Sequence, residues 1–231
     1  YELKLPSTGK KVKYRPFLVK EEKILIICLE SKNQDEITNA VKDVLKKCIL
    51  TRGVKVDELP TFDIEYLFLN IRAKSIGEDI KMTVTCPDDG TTQVPVTVYV
   101  DEIEVIKPKD HKTDIVLDDK LTLRMKYPSL SQFVENNFEV NDDPKTIVSK
   151  TFKVVADCMD TVFTQEDAWE AKDYTPDERL KFIEQLNSKQ YKEVEKFFAT
   201  MPKLSHTIEV INPNTKQKNS VVLEGLADFF G

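Results

Sequence analysis

Only two histidines occur in the 231 residues, His111 and His206, so chemistry built on imidazole has few options. Neither sits in a local pattern with a partner: His111 falls in a polar stretch, and His206 follows Pro202 at the entrance to a hairpin. Cys86, in "TVTCPDDG", is the other candidate nucleophile. A cysteine at a hairpin tip is also the geometry of a zinc ribbon, in which paired Cys-x-x-Cys turns supply four thiolates. Here the residue three after Cys86 is Asp89, and the matching later turn, "INPNTK", has no cysteine. One thiolate does not make a zinc site; a relic of a lost ribbon would leave such a tip, but nothing in the sequence shows one.

The acidic pairs Asp88-Asp89, Asp118-Asp119 and Asp142-Asp143 sit at turns or caps, where Asp bonds local amides, and no Asp-x-Asp-x-Asp-Gly loop accompanies them. Six glycines without a phosphate-cradling run give no support to nucleotide binding. The sequence therefore names no catalytic, cofactor-binding or metal-ligating residue. It points away from an enzyme, with Cys86 or His206 as the alternative centre.

A net charge of −6 gives no overall attraction to phosphate backbones. Lys10, Lys11 and Lys13 cluster beside a turn and read as a solvated strand edge, with a local basic patch as the lesser alternative. The longest apolar run, Ile24 to Leu29, is far shorter than the roughly 20 residues of a membrane span. Cys28, Cys48, Cys86 and Cys158 are widely spaced, three of them in helix-like segments where Cys serves as a small apolar residue, which suggests a reducing compartment. No signal-like segment or glycosylation sequon is visible, and the chain opens at Tyr1 without a methionine.

The elements that would position any site follow a repeated order. "YELKL" and "KKVKY" flank the turn "PSTG" as a hairpin. Val19 to Leu29 reads as an apolar helix, and Asp35 to Ile49 as a second one with Ile37, Val41, Val44, Leu45 and Cys48 on one face. From Leu59 to Ala73, apolar residues cover nearly the whole circumference, the mark of a helix surrounded by protein. A hairpin with "CPDDG" at its turn follows, and residues 107–113 read as a linker.

Beyond the linker the order recurs. "TDIVL" and "LTLRMKY" form a hairpin; Ser129 and Gln132 make a capping box opening "LSQFVENNF"; a longer helix from Asp143-Pro144 carries Ile147, Thr151, Val154, Val155 and Cys158 on its buried side. Thr175, Pro176 and Glu178 open another helical run, and "HTIEVI" and "SVVLEGL" flank "NPNTKQKN" as a last hairpin. The expected fold is α+β, in two pseudo-repeated halves: residues 1–106, the linker 107–113, and residues 114–231, each half a helical cluster flanked by hairpins. Two unrelated halves of similar local order are the competing explanation.

The terminus "VVLEGLADFFG" places Leu226, Phe229 and Phe230 where chains normally fray, yet each Phe gains roughly 1.5–3 kcal/mol when buried. They dock either onto the protein's own core or, as an aromatic anchor, onto a partner subunit.

"LPSTGKKVKYRPFLVKEEKILI", "LPTFDIEYLFLNIRAKSIGE" and the terminal "LEGLADFFG" together resemble the baseplate hub subunit family of T-even-like contractile-tailed bacteriophages, most strongly over Leu5 to Glu78 and at the end. The resemblance implies a non-enzymatic, cofactor-free protein of the tail baseplate hub in the virion, made in the bacterial host cytoplasm. Its implied partners are other baseplate or hub proteins, with spike or tape-measure proteins and a second copy of the chain as further options, and neither nucleic acid nor membrane. An assembly chaperone of the hub, absent from the mature virion, is the alternative.

Overall fold

In the computed structural model, β1 (Glu2–Lys4) and β2 (Lys11–Lys13) pair antiparallel across a turn at residues 5–10. The structure describes residues 1–31, 34–129, 132 and 144–230; the side chains of 28–31, 34, 35, 37, 38, 144, 226, 227 and 230 also fall outside the description. Three helices follow: α1 (Val19–Ser31), α2 (Gln34–Cys48) and α3 (Thr61–Ile76). The face expected on α2 is buried at Val41, Val44, Leu45 and Cys48, while the Ile37 side chain lies outside the described residues. Then β3 (Asp79–Thr85) and β4 (Gln93–Tyr99) form a hairpin in which Ile80 faces Val98 and Val84 faces Val94.

The mixed α+β character expected from the patterning is the observed one, but the chain divides into two compact units whose membership is not sequential. The first holds 1–106 and 202–231; the second holds 107–201. The last hairpin, β10 (Lys203–Ile211) with β11 (Lys218–Glu224), joins the first unit because β10 pairs with the short β5 (Glu104–Ile106), Leu204 opposite Val105. Its apolar face, Leu204, Val210 and Leu223, closes over Ile80, Val84, Cys86 and Val98 of β3–β4 in one core. Residues 202–231, expected with the second half, thus complete the first. Alternation shows that a strand has an apolar face, not what covers it.

α3 is apolar all round because it is covered on several sides: it packs against α2, β5, β10 and α7 (Gly225–Phe230), with Phe62, Ile64, Leu67, Leu69 and Ile71 buried.

The second unit is built on a four-stranded sheet in the order β6 (Asp114–Val116), β7 (Thr122–Met125), β8 (Met159–Phe163), β9 (Ala168–Glu170). On it lie α4 (Pro144–Asp157), α5 (Pro176–Glu184) and α6 (Ser188–Ala199), sharing a core of Leu123, Met125, Cys158, Ile183, Val194 and Phe197. The capping box at Thr175 and Glu178 forms, and Ser129 and Gln132 exchange the expected bonds; most of "LSQFVENNF", and Asp142-Asp143, fall outside the described residues. The β8–β9 hairpin has no counterpart in the sequence reading.

Two local patterns recur. The Arg15 amide donates to the Cys48 carbonyl (2.9 Å) and the Lys126 amide to that of Cys158 (2.8 Å), 111 and 110 positions on. Likewise, Glu21 accepts from the Leu18 amide (2.8 Å), and Gln132 from the Ser129 amide (2.9 Å), each 111 positions on. The second pattern is a turn with Pro at its second position and a positive φ at its fifth, shared by the tips at 5–9, 86–90 and 212–216. Gly9, Gly90 and Lys216 (φ 68°, 66° and 62°) donate their amides to the carbonyls of Leu5, Cys86 and Asn212.

Candidate interaction surface

What places α1 is an ion pair at its start. Glu21 is buried and accepts a bidentate pair of bonds from the Arg15 guanidinium (2.8 and 2.9 Å) and one from the Leu18 amide. These hold its carboxyl at about 2 against the opposing effect of burial. The Arg15 fork also donates to the Pro16 carbonyl, so the chain entering α1 is fixed on both sides.

On the described part of α1 the inward face is narrow: Glu21 and Leu25, one turn apart, are buried. Leu18, just before the helix, and Val19, Ile24, Ile26 and Ile27 on it are 51%, 81%, 40%, 50% and 54% exposed. α1 is therefore as apolar around its circumference as α3, but solvent-facing where α3 is covered. Lys20 and Lys23 are the charged side chains exposed beside the apolar ones. Taking each of the five apolar side chains as about half buried already, full burial would contribute about 4–8 kcal/mol, before the cost of association. Exposed apolar side chains grouped on one element mark contact surfaces. The sequence held the signal, an apolar run on all faces, but not which faces the fold leaves open.

The terminal aromatic candidates divide. Phe229 is buried in the core of the first unit, the first of the two roles weighed for it, while the side chains of Leu226 and Phe230 lie outside the described residues. α7 is closed by the Glu224 amide donating to the Asp228 carboxylate (2.8 Å).

The chemical candidates are placed as follows. Cys86 is buried, and desolvation, reinforced by the charges of Asp88 and Asp89, pushes its thiol up, away from thiolate chemistry. Cys48 and Cys158 are buried and pushed up to about 11 and about 12, chiefly by burial. The His206 Nδ1 lies 3.0 Å from the Glu102 carbonyl oxygen, on β10. His111, expected in a linker, is instead buried in the second unit: Nδ1 meets the Thr200 hydroxyl and Nε2 the Tyr127 hydroxyl, each at 2.9 Å, with the ring stacked on Tyr127. Both nitrogens are occupied. No group of three or more His, Cys, Asp or Glu side chains is placed to hold a metal among the described residues, and no described helix is long and apolar enough to cross a membrane.

Neither the search of curated proteins nor that of solved structures returned a match. The family model described as "T4 bacteriophage base plate protein" matches residues 1–231, the whole chain, and the chain therefore belongs to that family.

Proposed function

We propose that this chain is a non-enzymatic component of the baseplate hub of a contractile phage tail, made in the host cytoplasm and taking part in baseplate assembly through protein–protein contacts. Membership of the baseplate family supports the setting. The observation that carries the mode of action is α1: five neighbouring apolar side chains, Leu18 just before the helix and four on it, face solvent where a buried ion pair fixes the helix start. Other hub proteins are the partners this surface would meet.

Two measurements test the reading. The double variant Ile24→Glu/Ile27→Glu should keep the wild-type circular dichroism spectrum and melting temperature, because both side chains are exposed, while failing to support baseplate assembly in infected cells. A folded variant that assembles normally would remove α1 as the contact. Quantitative mass spectrometry of purified particles should find the chain at a fixed ratio to other tail proteins. Absence from particles with abundance in the lysate would make it an assembly chaperone instead.

A further inference from the structure

The tips of β3–β4 and β10–β11 are the same turn twice, and they meet. Cys86-Pro87-Asp88-Asp89-Gly90 and Asn212-Pro213-Asn214-Thr215-Lys216 share the second-position Pro, the amide bond from fifth residue to first (2.9 Å in both) and the positive φ at the fifth. Across the gap the Asn212 side-chain amide donates to Asp88 (2.8 Å) and Asp89 (2.9 Å), and the Thr215 hydroxyl donates to Asp88. The third residue of each tip also reaches the return of the other hairpin: the Asp88 amide donates to the side chain of Asn219 on β11 (3.0 Å), and the Asn214 side chain to the hydroxyl of Thr92, just before β4 (2.9 Å). The exchange is approximately reciprocal, as two-fold-related partners make it.

A zinc ribbon is assembled from these parts: two hairpin tips facing each other, each supplying ligands at its first and fourth positions, the spacing of Cys-x-x-Cys. Here those positions are Cys86 and Asp89 on one tip and Asn212 and Thr215 on the other. Cys86 and Asn212, the two first positions, are both fully buried. Asp89 and Asn212 are bonded to each other, and Thr215 joins them through Asp88.

We propose that the two tips are the frame of a four-ligand zinc ribbon in which one ligand, Cys86, is retained and a hydrogen-bond network centred on Asn212 has taken over the metal's task of tying the hairpins together. The natural chain then needs no metal to close this end of the first unit, and its two facing tips still present four positions at the spacing of paired Cys-x-x-Cys turns.

The test restores the ligands in the full chain. The triple variant Asp89→Cys/Asn212→Cys/Thr215→Cys, refolded with zinc, should hold one zinc per chain, at least tenfold above wild type. With cobalt(II) it should give the visible bands of a tetrahedral tetrathiolate centre, and its melting temperature should rise with zinc. Adding Cys86→Ser to the triple variant should abolish the tetrathiolate spectrum, separating this site from the other cysteines. A variant that takes up no stoichiometric metal, gives an octahedral cobalt spectrum, or stays unfolded with zinc overturns the ribbon frame. The matched variant Asp89→Ser/Asn212→Ser/Thr215→Ser tests the network: it should melt below wild type with no response to zinc, and an unchanged melting temperature would show that the network is not what ties the tips.

Discussion

Protonating or replacing one buried carboxylate, Glu21, should loosen the start of α1 by an amount the structure lets one work out. The Arg15 fork and the Leu18 amide hold its carboxyl at about 2, against 4.5 for an unperturbed glutamate. Folded pKa lies below unfolded pKa, so the unfolded chain takes the proton first. The stabilisation is complete above about pH 5 and is lost as pH falls through 4.5 towards 2. At about 1.4 kcal/mol per pKa unit the proton balance corresponds to about 3 kcal/mol. Arg15 keeps 31% of its side chain in water, which screens the pair and brings the expected cost of Glu21→Gln to about 2 kcal/mol at pH 7. Urea unfolding followed by far-ultraviolet circular dichroism, on wild type and variant at pH 7 and pH 3, measures this directly. The two proteins should differ by about 2 kcal/mol at pH 7 and by no more than about 1 kcal/mol at pH 3, where Glu21 is protonated in the unfolded chain but still largely ionised in the folded one. A difference below about 0.5 kcal/mol at pH 7, or one that persists unchanged at pH 3, would refute the assignment of Glu21 as an ionised, Arg15-bound group.

Two further outcomes follow from side chains whose environments are equally specific. Burial holds His111 below its ordinary 6.5, so its neutral form belongs to the folded state and the second unit should lose stability as pH falls from 7 to 5.5. His111→Phe gives up the bonds to Thr200 and Tyr127 at a cost of about 1–2 kcal/mol near pH 7 and should flatten that pH dependence, read as melting temperature. Lys216 stands exposed at φ 62° where the two related tips have glycine, so Lys216→Gly should raise stability by up to about 1 kcal/mol in urea titrations.

Local structure was legible because it depends on neighbours in sequence. The Thr175 capping box, the stripe at Val41, Val44, Leu45 and Cys48, and the turn at Cys86 to Gly90 are each settled within about a dozen residues. The division of the chain was not, because β10 finds β5 across about 100 residues through three backbone pairs whose side chains carry no special signal. His111 was misplaced for a related reason: its flanking Lys and Asp residues describe a polar stretch, while the hydroxyls that bury it come from Tyr127 and Thr200. β8 and β9 escaped notice because neither alternates cleanly between buried and exposed positions: β8 is fully buried only at Met159, and β9 is exposed at all three residues. As for the contact surface, the run from Ile24 to Leu29 was visible as apolar, but α1 and α3 are alike in that respect and differ only in what the fold packs around them.

The recurring hydrogen bonds bear on how such a chain is built. Arg15 with Lys126, Leu18 with Ser129, Glu21 with Gln132 and Cys48 with Cys158 occupy matching places in two local frameworks whose side chains are largely different. The bond that Glu21 makes beside a buried ion pair is made by a neutral amide at Gln132, so the backbone geometry does not depend on the charge. Cys48 and Pro60 are 12 positions apart and Cys158 and Pro176 are 18; the β8–β9 hairpin lies within the longer interval and accounts for its extra length. We propose from these matches that the chain is a duplicated unit. On that reading the two hairpins whose tips meet at Asn212 are each other's counterparts, and the last element of the second copy completes the core of the first. That arrangement gives a physical reason for Phe229 to be buried so near the end of the chain: it lies on α7, directly after a hairpin without which β3–β4, β5 and α3 would lose a wall of their core.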